Sequence, residues 1–271
     1  MLSPADADRV RALAALVAEA DGEYPLNEDA TLALAGGEAQ HHLRGEGELV
    51  GYAQANPRHG TGQLFVHPDH RRQGIGTELL ANLDGLGVWS FGDLAAARGF
   101  ADANGLDEQR RLLVMERPLD PPSGLHYPDI RPFDPATDAD AFLAVNAAAF
   151  AWHPEQGQFS RADAEARLAE DWFDPDGFLV AFDDAGLTGF HWTKRHSDGR
   201  GEVYILATDP RAQGTGLGKR LLAAGLDHLA AKGCPTVHLY VEASNVRAVQ
   251  LYERAGFAVV HSDVLYGPTS H

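Results

Sequence analysis

The stretch TDPRAQGTGLGKRLL, residues 208–222, decides the fold because the chain carries its outline twice. An earlier stretch, VHPDHRRQGIGTELL at residues 66–80, has a proline, two glycines and a pair of leucines in the same places. The corresponding residues are separated by a constant interval of 142 positions. A period close to the size of a domain indicates two copies of one fold, whereas a solenoid would repeat every 20 to 50 residues.

Composition agrees with two soluble globular domains. The chain has 271 residues, of which 44% are hydrophobic and 23% charged, enough for two ordinary cores. A net charge of −17 argues against nucleic acid or an anionic membrane as partner. Cys234 is the only cysteine, so an intramolecular disulfide is excluded and a reducing compartment is expected. With neither a signal peptide nor an apolar run long enough to span a membrane, we expect a cytoplasmic protein.

A proline-rich segment separates the two copies. Residues 118–129, PLDPPSGLHYPD, contain four prolines and a glycine, which no regular helix or strand would accommodate. We therefore expect an N-terminal domain at 1–117, a linker at 118–129 and a C-terminal domain at 130–271.

Hydrophobic periodicity gives both copies the same order of elements, with helices, a hairpin, a strand entering the repeated motif and a helix leaving it. The fold class expected is α/β, or α+β by stricter naming, with a mixed central sheet flanked by helices in each domain. The predicted helices are 5–20, 75–83, 139–150, 161–172, 218–232 and 246–255. The predicted strands are 48–55, 63–66, 178–184, 187–195, 202–208 and 236–243, with a last strand after Phe257.

The repeated loop is a candidate anion site. Its glycines lie at the start of a helix, where backbone N–H groups lack helical partners and no side chain blocks an approaching ligand. Several aligned donors suit a pyrophosphate better than a single carboxylate. The alternative is a tight strand-to-helix turn that binds nothing, and one copy alone would favour that alternative. The dinucleotide fingerprint G-x-G-x-x-G is not met in either copy.

Together, the loop pattern Arg/Gln-x-x-Gly-x-Gly and the later segment NVRAVQLYERAGF, residues 245–257, resemble the acetyl-CoA signature of the GNAT N-acetyltransferases. The resemblance implies two tandem GNAT acyltransferase domains that use acetyl-CoA as co-substrate. Four further motifs resemble the mycothiol synthases within that family: HPEQG at 153–157, WTK at 192–194, EVYILATDP at 202–210 and LYVEASN at 239–245.

The narrower resemblance implies a reaction and an acceptor. Mycothiol synthases acetylate the cysteinyl amine of cysteinyl-glucosaminyl-inositol, or desacetylmycothiol, which is the last step of mycothiol biosynthesis. Two alternatives stay open at this point. One is a GNAT enzyme that acts on an aminoglycoside or a protein N-terminus; the other is a non-catalytic acyl-CoA sensor.

Acyl transfer to an amine needs a base for the ammonium and an acid for the leaving thiolate. The resemblance assigns these roles to Glu202 as general base and Tyr252 as general acid. Taken alone, Glu202 is as readily a solvated strand end, and Tyr252 as readily a core residue. In the first copy the matching positions are Gly60 and Ala101, so we expect only the C-terminal half to turn over.

Binding residues follow from the resemblance by position. The substrate contacts it implies are Glu28, Glu155, Lys194, Glu202 and Tyr240. Those for the cofactor in the first copy are Leu64, Phe65, Val66, Arg71, Arg72, Gln73, Gly74, Ile75, Gly76 and Thr77. Those in the second copy are Leu206, Ala207, Thr208, Gln213, Gly214, Thr215, Gly216, Leu217, Gly218, Lys219, Asn245, Val246, Arg247, Ala248, Val249 and Gln250. The histidines show no metal-binding spacing such as H-E-x-x-H, so we expect no metal, and we expect a monomer.

Overall fold

The computed structural model describes residues 2–45, 47–152 and 156–269. The chain forms two compact units. The first contains Met1–Leu113, Glu242–Ser244 and His261–His271, and the second contains Val114–Val241 and Asn245–Val260. These units differ from a single division at 118–129, because two later segments of the chain return to the first unit.

The first unit is built on a mixed sheet in the order β1-β2-β3-β4-β11-β5. Strands β1 to β3 are antiparallel, β3 and β4 are parallel, and β4 is antiparallel to β11. Its elements are α1 (Pro4–Asp21), α2 (Glu28–Ala33), β1 (Gln40–Arg44), β2 (Gly51–Asn56), β3 (Thr61–Val66), α3 (Ile75–Ala81), β4 (Gly87–Ser90), α4 (Ala95–Ala103), the first part of β5 (Leu106–Pro118) and the last part of β11 (Ala258–Pro268).

The second unit repeats this order. Its sheet runs β6-β7-β8-β9-β10, antiparallel up to β9 and parallel between β9 and β10, which α7 connects. Its elements are β6 (Ile130–Pro132), α5 (Pro135–Ala149), α6 (Arg161–Leu168), β7 (Phe178–Asp183), β8 (Gly186–Arg195), β9 (Gly201–Thr208), α7 (Leu217–Ala231), β10 (Thr236–Glu242) and α8 (Val246–Arg254). The predicted fold class, two tandem mixed α/β domains, is confirmed.

Local signals set the ends of the first helix. The Ser3 side chain accepts a hydrogen bond from the Asp6 N–H, a proline occupies the first turn, and Gly22 ends the helix with φ of 81°. These are the cap residues that helix termini favour. Between them, residues spaced by three or four, such as Val10 and Ala14, are buried against the sheet.

Each unit has its own hydrophobic core. In the first, α1 and α2 pack on Tyr52 and Phe65 of the sheet. In the second, aromatic rings dominate: Phe178 and Trp192 are stacked with centroids 4.5 Å apart and an interplanar angle of 7°, and Phe142 meets them edge-on. Such ring pairs add to area burial and hold β7 and β8 rigidly under the site.

No helix of the described residues is both long and apolar enough to cross a lipid bilayer.

Candidate functional site

The parallel strands β9 and β10 separate along their length. Their paired positions are Gly201 with Val237, Glu202 with His238, and Val203 with Leu239. No further pair joins these two strands among the described residues, although β9 continues to Thr208. The β10 side of Leu206–Thr208 therefore offers backbone groups to a ligand that enters between the strands.

A bulge lies in β9 at the point of separation. Trp192 is opposite Ile205 and Thr193 is opposite Val203, so Tyr204 has no counterpart on β8. An extra residue of this kind bends a strand and redirects the side chains that follow. The extra residue, Tyr204, lies two residues after Glu202 and two before Leu206. The bulge therefore turns the end of β9 away from β10.

The glycine loop after β9 is open at the start of α7. Gly214 and Gly216 have φ of 80° and 81°, and no side chain caps the helix. A Cβ added at either glycine would meet nothing within 4 Å. The first N–H groups of a 15-residue helix thus face free space, which is the geometry of an anion site. The structure fits the acetyl-CoA pyrophosphate that the sequence pattern predicts for residues 213–219.

Helix α8 borders this loop. The Arg247 guanidinium donates to Gln213 Oε1 at 3.5 Å, and a Cβ on Gly218 would lie 3.8 Å from the Leu251 side chain. Asn245 caps the helix by accepting from the Ala248 N–H. The predicted segments 213–219 and 245–250 are therefore brought together.

Tyr252 is the residue after Leu251 on that helix and is only 7% exposed. Burial raises the pKa of its phenol, so the hydroxyl keeps its proton throughout the neutral range. Its ring meets Phe257 at 5.8 Å, as a core tyrosine would, yet its hydroxyl forms no hydrogen bond with any residue in the described ranges. The side chain is both packed and available as a proton donor.

Glu202 occupies the middle of a row across three strands. Lys194 of β8 and His238 of β10 are its direct neighbours in the sheet, and the Glu202 side chain is 6% exposed. His196 Nε2 lies 2.7 Å from Glu202 Oε2 in a hydrogen bond. His238 Nε2 lies 3.7 Å from the same oxygen, and burial lowers the pKa of His238. A nearly buried carboxylate with one hydrogen-bonded oxygen can accept a proton from an amine.

The ring nitrogens of these two histidines and the Glu202 carboxylate oxygen lie within 4.8 Å of one another, a spacing that one cation could span. The hydrogen bond between His196 and Glu202 accounts for their closeness without an ion. The expected absence of a metal stays a prediction.

Aromatic rings surround the neighbouring lysine. Lys194 Nζ lies 4.4 Å from the centroid of Trp172 and 5.2 Å from that of Tyr204, distances at which an ammonium is attracted by the ring face. The Tyr204 hydroxyl in turn accepts from Arg167 Nε at 2.6 Å. Tyr240, 48% exposed, meets His238 edge-on at 5.7 Å. Three of the five predicted substrate contacts, Lys194, Glu202 and Tyr240, thus lie on the adjacent strands β8, β9 and β10.

The other two predicted substrate contacts are Glu28 and Glu155. Glu28 is the first residue of α2 in the first unit, where Asn27 caps the helix. Glu155 lies outside the described residues.

The first unit carries a cavity of about 490 Å³ at the matching place. It is lined by the predicted cofactor residues Leu64–Val66, Arg71, Arg72 and Gly74–Thr77, together with Trp89 and Phe91. As in the second unit, the parallel strands β3 and β4 pair only at their start, Thr61 with Gly87 and Gly62 with Val88. Acetyl-CoA binding in this cavity stays a prediction.

The two arginines of this loop have different roles. Arg71 makes a bidentate ion pair with Asp21, at 2.8 Å to each oxygen, and its Nε donates to the Val66 carbonyl. That guanidinium therefore braces the loop against α1. Arg72 is exposed, with φ of 62°, and is the better placed of the two to meet a phosphate.

The catalytic positions of the first unit lack catalytic groups. Gly60 is an exposed turn residue with φ of 67° immediately before β3. Ala101 is 1% exposed and packs against Val264 and Tyr266. Neither a carboxylate nor a phenol stands at these two positions.

Sequence reasoning missed His196 and His238. A signal for His196 existed: the Asp198-Gly199 pair predicts a tight turn between two strands that were both recognised, and such a turn places His196 close to the start of β9. In the structure the His196 N–H donates to the Arg200 carbonyl at 2.9 Å and closes that turn. His238 had no such signal, because its place beside Glu202 depends on a parallel pairing between strands 28 residues apart.

Comparison with known proteins gives consistent matches. A model described as acetyltransferase (GNAT) family matches residues 146–257, and one described as acetyltransferase (GNAT) domain matches residues 38–105. The mycothiol acetyltransferase of Propionibacterium freudenreichii subsp. shermanii is 47% identical over 98% of this chain and 90% of its own length. That of Streptomyces coelicolor is 44% identical over 98% of this chain and 92% of its own length.

Solved structures of similar fold cover almost the whole chain. A GCN5-related N-acetyltransferase from Sphaerobacter thermophilus superposes with a TM-score of 0.69, 27% identity, and coverage of 98% of this chain and 93% of that one. A tandem GNAT protein from the clavulanic acid biosynthesis pathway superposes with a TM-score of 0.70 at 18% identity, covering 97% of this chain and 96% of that one, which is a likeness of fold alone.

Proposed function

The chain belongs to the mycothiol acetyltransferases of the GNAT family, and on that premise we propose that it transfers the acetyl group of acetyl-CoA to the cysteinyl amine of cysteinyl-glucosaminyl-inositol, giving mycothiol and free CoA. The observation that carries the proposal is the place of Glu202. It is a nearly buried carboxylate where β9 leaves β10, four residues before the segment Leu206–Thr208, which leads into the glycine loop.

In this proposal Glu202 accepts a proton from the acceptor ammonium. The free amine then attacks the thioester carbonyl carbon, and the new C–N bond makes a tetrahedral oxyanion. Backbone N–H groups of Leu206–Thr208, on the side where β10 has separated, are the available donors for that oxyanion. Donors fixed in a sheet need no reorganisation as the charge develops.

Collapse of the intermediate breaks the C–S bond, the nitrogen releases its second proton to solvent to become a neutral amide, and the Tyr252 hydroxyl gives its proton to the departing thiolate. The support is that burial keeps the phenol protonated and that α8 borders the loop that would hold the pyrophosphate. A buried phenolate is costly, so the proton must be regained from solvent after the thiol leaves.

For the acceptor we propose contacts with Lys194, Glu202 and Tyr240 in the second unit, and with Glu28 and Glu155 by family position. Hydroxyl-rich sugars hydrogen-bond to carboxylates and phenols, and the cysteinyl ammonium is attracted to a carboxylate. Trp172 and Tyr204 hold the lysine in place through their ring faces.

For the first unit we propose a non-catalytic acetyl-CoA site in the 490 Å³ cavity. We propose that residues 1–117 and 130–271 are two copies of one ancestral domain and that residues 118–129 are the linker between them. We also propose that the protein is a cytoplasmic monomer, and its single cysteine, Cys234, supports a reducing compartment.

The test is acetyl transfer by the purified full chain, followed by mass spectrometry. Cysteinyl-glucosaminyl-inositol should gain one acetyl group on nitrogen, and an aminoglycoside or a peptide N-terminus offered under the same conditions should not. Transfer to one of the latter acceptors alone would replace the acceptor assignment. Binding of acetyl-CoA with no transfer to any amine would favour a sensor.

A further inference from the structure

We infer that His196 is the positioning residue of the general base: its Nε2–H holds Glu202 Oε2 and leaves Oε1 as the oxygen that meets the acceptor amine. The inference rests on the proposed role of Glu202 and adds a residue to that reaction. The observation behind it is the arrangement of the two histidine rings around one atom, Glu202 Oε2.

The hydrogen bond is short and comes from a fixed donor. His196 Nε2 and Glu202 Oε2 are 2.7 Å apart, the distance of a charge-assisted bond. The ring is held by a closed turn, in which the His196 N–H donates to Arg200 O and the Arg200 N–H and Nε donate to Asp198. A donor held in this way orients the carboxylate before substrate arrives.

The second histidine cannot take over this task. His238 Nε2 is 3.7 Å from Glu202 Oε2, beyond hydrogen-bond distance, and its Nδ1 is buried without a hydrogen-bond partner. Burial lowers the pKa of His238, so its ring stays neutral. It lies against the His196 ring with centroids 4.9 Å apart and closes the inner side of the pair to water.

The His196 and His238 side chains differ in how much of each is exposed to solvent. The His196 side chain is 30% exposed, whereas His238 is 5% exposed. His196 therefore stands between the base and solvent. Its hydrogen bond fixes Oε2 and so directs the other carboxylate oxygen of Glu202 towards the acceptor amine.

Other charged or titratable groups lie around His196 and Glu202, and they are the same in every variant that is compared. They are Lys194 on β8, Tyr240 on β10, Arg200 in the turn and Glu116 on β5, whose carboxylate is 4.0 Å from the Arg200 guanidinium. None of them is changed in the test.

The test compares His196→Ala with His196→Gln in the full chain. The alanine variant should lose about 10- to 100-fold in kcat/KM for the acceptor, as expected for a lost hydrogen bond to a charged group. Its KM for acetyl-CoA should not change. The loss should lie mainly in kcat, because the carboxylate has lost the donor that orients it. Glutamine, whose side-chain N–H can reach the same oxygen, should recover much of the lost rate.

His228→Gln is the matched control. His228 Nε2 lies 3.1 Å from Asp174 Oδ2, a second histidine–carboxylate pair in the same unit. Its loss should leave kcat unchanged. Thermal melting identifies variants that fold.

A folded His196→Ala variant with an unchanged kcat overturns the inference, and so does a glutamine variant as impaired as alanine. If Glu202→Gln is inactive while His196→Ala is fully active, the inference fails and the proposed function stands. If Glu202→Gln is fully active, the proposed base itself is wrong.

Discussion

Lys194 and Glu202 are directly opposite each other across β8 and β9, and Lys194 Nζ lies 4.4 Å from the Trp172 ring centroid. Lysine and carboxylate thus share one face of the sheet, with His238 next in the row. The arrangement puts a fixed cation and a proton acceptor side by side where β9 and β10 separate. We therefore expect an acceptor amine to bind beside this carboxylate.

Replacing Glu202 by glutamine keeps the shape of the side chain and removes the base. We expect kcat to fall by about 10²- to 10⁴-fold, the range typical of general base removal, with little change in affinity for CoA. Steady-state kinetics and isothermal titration check the two parts. Glu253→Gln, an exposed glutamate on α8, is the control and should behave as wild type. Full activity of Glu202→Gln would contradict the base assignment.

Replacing Tyr252 by phenylalanine removes only the hydroxyl from a packed ring. The ring contact with Phe257 stays, so stability should change little, whereas kcat should fall by about 10²-fold because the thiolate leaves unprotonated. The KM for acetyl-CoA should stay within a factor of about two. Tyr127→Phe, in the segment 118–129, serves as control. An unchanged kcat would return Tyr252 to a purely structural role.

Gly216→Ala tests the glycine loop. Gly216 has φ of 81°, so alanine strains the loop by about 1–2 kcal/mol although its Cβ meets nothing within 4 Å. We expect the KM for acetyl-CoA to rise several-fold. Gly233→Ala is a close control, since Gly233 follows the other end of α7 with φ of 80° and is equally open. Equal effects of the two changes on the KM would mean that the loop does not hold the cofactor.

Asp263 gives a pH prediction in the first unit. Burial raises the pKa of Asp263 to about 6, and its Oδ1 accepts from the Gly92 N–H. A carboxyl whose pKa is higher in the folded state destabilises that state as pH rises from about 4 through 6, and the penalty is fully present at pH 7.5. It amounts to about 3 kcal/mol at most.

Asp263→Asn should therefore raise the midpoint of thermal unfolding at pH 7.5, and the gain should shrink towards zero near pH 4. The side-chain oxygen of asparagine can still accept the hydrogen bond from the Gly92 N–H. The exposed Asp102→Asn change is the control and should show no such pH dependence. A gain that is the same at both pH values would contradict the buried-charge explanation.

Filling the first cavity tests whether that unit binds a nucleotide. Ala97 lines the cavity from α4, whereas Ala95, on the same helix, does not. Ala97→Trp should abolish one of two classes of CoA binding in equilibrium dialysis and leave turnover intact, and Ala95→Trp should keep both. A wild-type chain that binds CoA at a single class of site would refute the first-unit proposal.

Local signals in the sequence predict much of the second unit. The helix after the glycine loop was predicted at 218–232 and is observed at Leu217–Ala231, because glycine punctuation and 3.6-residue periodicity are both local. The tandem GNAT acetyltransferase identity is likewise confirmed. The site residues, apart from their positions on the elements, stay predictions.

Pairings over long distances were not predictable. A strand after Phe257 was predicted. That it lies beside β4, where Leu265 pairs with Trp89, could not be predicted from the alternation of polar and apolar residues in the strand itself. The same holds for the hydrogen bond between Gly92 and Asp263, which are 171 residues apart. Hydrophobic patterning shows that a strand has a buried face and leaves open which strand it joins.

The return of β11 to the first unit has a consequence for biosynthesis. Val264–Tyr266 pair with Val88–Ser90 of β4, yet they are synthesised after the other strands of the described residues. The first unit therefore waits for the segment that contains the second unit before its sheet can close, and until then β4 has an exposed edge open to mispairing. A nascent chain released early would be a substrate for chaperones rather than a functional half-enzyme.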